Sequence, residues 1–83
     1  MIRQRVCIGR DVRVVSEEAG GIELEGRPRL RPGRDVEVVM MAAGGATSRQ
    51  AQVWSWRVIA VGLEGPTFRG VCRWALDAGT GYP

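Results

Sequence analysis

Apolar and polar residues alternate with a period of two along almost the whole chain, the pattern of strands that bury one face. Ile2, Val6 and Ile8 fall on one side, with Arg3, Arg5 and Cys7 on the other. After Gly9 the alternation resumes, with Val12 and Val14 against Asp11 and Arg13. Ile22 and Leu24 then face inward and Glu23 and Glu25 outward. Val36, Val38 and Met40 form the next inward row, while Val39 and Met41 make the outer face of that strand apolar as well. A long strand is expected from about Thr47 to Val61, with Ala51 and Val53 inward and Gln50 and Gln52 outward. Within it, Trp54-Ser55-Trp56 breaks the alternation, and a bend or bulge there would re-aim one indole. Phe68, Cys72, Trp74 and Leu76 make the last inward row, opposite Arg69 and Arg73.

Glycine and proline punctuate these rows. Gly20-Gly21 reads as a tight turn in which glycine supplies positive φ, and Gly44-Gly45 and Gly65-Pro66 turn the chain again. The stretch from Gly26 to Arg34 contains Pro28, Pro32 and Gly33. It cannot be the interior of a paired strand, and it reads as a loop ending in a Pro-Gly turn.

About six strands, short turns and no helix predict one all-β domain. The economical closure is a six-stranded antiparallel barrel, which leaves no exposed sheet edge. The domain is expected to span residues 1–78, with residues 79–83 a flexible C-terminal tail. Cys7 and Cys72 then lie in the first and last strands, which would be neighbours in a closed barrel. Their pairing stays open, a cytoplasmic setting favouring free thiols.

At 83 residues the chain has room for one modest core and little room for a deep cleft. Hydrophobic content of 45% and charge of 25% describe a globular domain. All 12 cations are arginine, and lysine and histidine are absent. No imidazole base, Schiff-base lysine or His-bearing metal site can therefore be built. Two cysteines cannot complete a structural zinc site, and no nucleophile–base pair stands out, so no catalytic residue, metal or cofactor is expected. The net charge of +3 is mild for a nucleic-acid binder. The longest uncharged run, Val38 to Ser48, has 11 residues. A membrane helix needs about 20, so no membrane insertion is expected and the location expected is cytoplasmic.

Four stretches carry a resemblance. Ser16-Glu17-Glu18-Ala19-Gly20-Gly21 lies between alternating strands, and Leu30-Arg31-Pro32-Gly33 leads into Asp35-Val36-Glu37-Val38. Ala51-Gln52-Val53-Trp54 and Gly70-Val71-Cys72-Arg73-Trp74 follow. In this order and spacing they resemble the PilZ domain, a small β-barrel whose best-known members bind cyclic di-GMP. The resemblance covers nearly the whole chain and rests on order and spacing, since each stretch alone is common. It implies a signalling module in which Arg3, Arg5, Ser16, Gly20 and Gly21 would meet the nucleotide. Both ligand motifs are degenerate. The family's arginine pair is spaced R-x-x-x-R, whereas Arg3 and Arg5 are two apart. The Asp/Asn-x-Ser-x-x-Gly motif keeps Ser16, but Val14 and Ala19 fill its other two positions.

Two alternatives stand beside this expectation. One is a nucleotide-independent protein–protein interaction scaffold that presents Trp54 or Trp56, as a monomer or homodimer. The other is an oligonucleotide-binding barrel using Arg27, Arg29, Arg31 and Arg34, against which the low net charge argues.

Overall fold

A computed structural model describes residues 4–75. Arg3, Ile2, Leu76 and the expected tail at 79–83 lie outside the described residues. The described chain is all-β, as the alternation predicts, with strands β1 (Gln4–Cys7), β2 (Val12–Glu18), β3 (Gly21–Gly26), β4 (Asp35–Ala42), β5 (Gly45–Val53), β6 (Arg57–Gly62) and β7 (Gly65–Trp74). They form one curled sheet, a half-barrel, in the order β1-β4-β5-β7-β3-β2, with β6 attached to β7 beside β5. The ends of this path approach each other at a single bridge, Ile8 to Val12.

Two expectations need correction. There are seven strands instead of six, and the sheet is mixed, because β1 pairs with β4 in parallel. The cause is the connection after β1. The carbonyl of Cys7 accepts hydrogen bonds from the backbone of Arg10 and Asp11, at 3.2 and 2.8 Å. The Asp11 carboxylate accepts the Cys7 N–H at 2.8 Å, and Gly9 takes φ of 98°. This one helix-like turn displaces the chain without reversing it, so β1 and β2 run in the same sense at opposite ends of the sheet. Cys7 and Cys72 are consequently not neighbours. Cys7 faces Val39 of β4, Cys72 faces Ile22 and Val53, and both thiols are free.

The predicted strand from Thr47 to Val61 breaks at Trp54-Ser55-Trp56 into β5 and β6, the bend expected there. Both pieces lie along the same side of β7. Ala51 and Val53 face inward as predicted, and with Val6, Val12, Ile22, Leu24, Val36, Val38, Cys72 and Trp74 they make the core. Each fully buried aliphatic side chain of this kind stabilises the fold by roughly 1.5–3 kcal/mol. Leu30, in the segment read as a loop, is buried at 6% exposure and plugs one side of this core. That loop ends in the predicted Pro-Gly turn. The Arg34 N–H donates to the Arg31 carbonyl at 3.1 Å, with Gly33 at φ of 90°.

Val14 keeps its inward register opposite Leu24 but is 37% exposed. A bulge between Val14 and Ser16 shifts the β2–β3 register there, adding one residue on β2. The Gly20-Gly21 turn also works differently from the expectation, since neither glycine has positive φ. Gly21 is required for space instead: a Cβ there would approach the Cys72 carbonyl oxygen to 2.6 Å.

β4 and β7 run in the same sense, so the β4–β5 and β6–β7 hairpin tips project at opposite ends. The molecule measures 50 × 30 × 28 Å as a result.

Candidate functional site

The bulge on β2 builds the most distinctive surface feature. On β2, Arg13 faces outward beside Glu25. Regular alternation would then send Ser16 toward the core. The extra residue at Val15 resets the pleat, so Ser16 pairs with Glu23 on the outer face. Its hydroxyl donates to Glu23 Oε1 at 3.2 Å. Ser16, Glu18, Gly20, Gly21, Glu23, Val71 and Arg73 line a concavity of about 350 Å³ on the outer side of β2, β3 and β7. Gly21 leaves its floor open, because the glycine that lets β3 approach β7 carries no side chain to fill it.

Trp54 lies against Arg73, one of the lining residues. The 54–56 bend turns the two indoles in opposite directions. Trp54 is 56% exposed, and the Arg73 guanidinium lies over its ring at 3.9 Å from the centroid. Trp56 is turned inward and half-buried; its Nε1 donates to the Pro28 carbonyl at 2.9 Å and its ring stacks on Phe68 at 6.1 Å. Of the two tryptophans singled out for partner contact, Trp54 alone is exposed.

The structure therefore brings together Ser16, Gly20 and Gly21, but not Arg5. Arg5 lies on β1, and β4 and β5 separate that strand from β7. At about 4.8 Å between neighbours this is roughly 14 Å along the sheet. Its Nε is held by Glu37 at 2.7 Å. The charges in the concavity are two carboxylates, Glu18 and Glu23, against the one guanidinium of Arg73. Glu18, Glu23, Val71 and Arg73 were not singled out from sequence. The cross-strand registers Glu18 to Gly21, Glu23 to Val71 and Gly21 to Arg73 assemble them, and no local motif announces those registers.

One row further along the strands, Glu25 bridges Arg13 at 3.0 Å and Arg69 at 2.8 Å across β2, β3 and β7. Its carboxyl is held below the ordinary value, first by hydrogen bonding from Arg69. The arginine cluster of the 27–34 loop is partly committed. Arg27 pairs with Glu64 at 2.9 Å, and Arg29 lies over the Phe68 ring at 5.8 Å. Among the described residues no group of three His, Cys, Asp or Glu side chains is placed to hold a metal ion, and no helix is long and apolar enough to cross a membrane.

In comparison with known proteins, no family model, no curated protein and no solved structure matches the chain.

Proposed function

We propose that this chain is a PilZ-like β-barrel module that recognises a segment of another protein on its outer β2–β3–β7 face, independently of cyclic di-GMP. The observation that carries this reading is the charge of the concavity, two carboxylates to one guanidinium, beside an exposed tryptophan. A phosphate brought to 4 Å from a carboxylate at a protein surface meets a repulsion of about 4 kcal/mol. Arg73 alone faces that repulsion, and its guanidinium already lies over Trp54. A partner segment with an arginine or lysine beside an apolar side chain fits the same surface. Its cation would meet Glu18 and Glu23, and its apolar group would lie against the Trp54 ring.

The test is a selection of displayed random peptides on the protein, followed by titration of the enriched sequences. Enrichment of basic–apolar peptides, with binding lost in Trp54→Ala and in the double variant Glu18→Gln/Glu23→Gln, is the expected result. Peptides that bind both variants as tightly as the unaltered protein overturn the reading.

A second reading, a cyclic di-GMP receptor, is favoured by one observation: Ser16, Gly20 and Gly21 line a single concavity. Calorimetric titration with the nucleotide at low salt separates the two. Absence of heat supports the protein-recognition module. Micromolar binding that Arg73→Ala removes would establish the receptor instead.

A further inference from the structure

The β6–β7 hairpin extends past the core with its apolar side chains bare. Every residue of β6 is exposed. Val58 is 51%, Ile59 41% and Val61 76% accessible, and Leu63 at the tip is fully so. The strand pairs with β7 along one edge only, and among the described residues no other backbone group bonds to it. Its sequence, Arg57-Val58-Ile59-Ala60-Val61-Gly62, has no proline and a single charge, at Arg57, and a one-residue bulge at Ile59 is its one irregularity against β7.

The charges at its two ends point to the occupant. Arg57 sits directly opposite Arg69 in the β6–β7 register, a like-charge pair. Arg69 is compensated by Glu25, whereas Arg57 makes no ion pair among the described residues. At the other end of the strand stands Glu64, whose side chain is 81% exposed although it contacts Arg27. A second copy laid antiparallel along β6 would bring its Glu64 toward Arg57 of the first, and the reverse contact follows by symmetry. A parallel arrangement would instead set Arg57 beside Arg57.

We infer that the free edge of β6 is a homodimer interface, in which two copies pair β6 antiparallel about a two-fold axis. The joined sheet runs β7-β6-β6-β7, removes both bare edges and closes on itself without leaving a site for a third copy. The surface is separate from the β2–β3–β7 concavity, so the inference holds whichever ligand that concavity takes.

Sedimentation equilibrium over a wide dilution series tests it. The expected result is a reversible monomer–dimer equilibrium. Val61→Lys, which alters a mostly exposed position, abolishes it while circular dichroism and the melting temperature show the fold intact. Arg57→Glu weakens the dimer about tenfold, and Arg57→Glu/Glu64→Arg restores it. A monomer throughout the series overturns the inference, as does a dimer indifferent to Val61→Lys. Open-ended growth of oligomers overturns the two-fold arrangement, and a double variant no tighter than Arg57→Glu overturns the antiparallel pairing.

Discussion

The carbonyl oxygen of Ser55 occupies the space that a Cβ on Gly70 would need. Around that contact the bend is fixed by three short backbone bonds. Trp54 N–H donates to the Val71 carbonyl at 2.7 Å, Ser55 N–H to the same oxygen at 3.2 Å, and Val71 N–H to the Ser55 carbonyl at 3.0 Å. The bend in turn sends Trp54 outward and Trp56 inward, so one glycine underlies both the candidate surface and part of the core.

Gly70→Ala is therefore expected to be costly. The methyl cannot be accommodated unless the bend lifts from β7, a backbone displacement of the kind that costs about 1–3 kcal/mol. Urea unfolding should show a lowered midpoint, and the tryptophan emission of the folded state should shift as the two indoles move. An unchanged midpoint would mean that the bend is not held against Gly70.

The two indoles should respond unequally to truncation. Trp56→Ala removes a ring stacked on Phe68 and a donor to Pro28, with an expected loss of about 3 kcal/mol. Trp54→Ala removes a surface cation–π contact with Arg73, worth about 0.5–1 kcal/mol. Guanidinium titrations of the two variants should separate by that margin, and equal losses would contradict the split.

Cys72 is fully buried, and desolvation pushes its thiol from 9.0 up to about 11. The neutral thiol is favoured in the folded state, so its contribution to stability is complete below pH 9. That contribution is lost as pH rises from about 9 toward 11, where the unfolded chain ionises first. A reagent selective for thiolates at pH 8 should label one cysteine, the partly exposed Cys7, and reach Cys72 only after denaturation. Rapid labelling of both would exclude the buried placement.

Acid should weaken the fold through two carboxylates. Asp11 is held below its ordinary value first by the backbone N–H of Cys7, and Glu25 by Arg69. Depressed folded values mean that the stability they contribute is present above the ordinary carboxylate range and lost as pH falls below it, through the lowered folded values. Asp11→Ala leaves the Cys7 N–H without its acceptor and is expected to cost about 1 kcal/mol at pH 7. The difference between this variant and the unaltered protein should shrink in melts taken at falling pH, and a constant difference would show that Asp11 does not titrate with folding.

The alternation of residues alone determined a good deal. It gave an all-β chain, the inward rows of β3, β5 and β7, the Pro-Gly turn before β4 and the bend at the tryptophans. These are local properties, since the side chain that a strand buries is set by its own pleat and the identity of a turn by its own residues. Tertiary structure decided the rest. Whether Cys7–Asp11 reverses or merely displaces the chain depends on a hydrogen-bonded turn that leaves no mark on periodicity, so the parallel β1–β4 pair could not be read. One bulge at Val15 set which face Ser16 occupies, and register set which charges surround it. Arg5, adjacent in motif logic, was carried to the far side of two strands. Strand partners and registers are chosen by the summed burial of residues distant in sequence, and a period of two is blind to that choice.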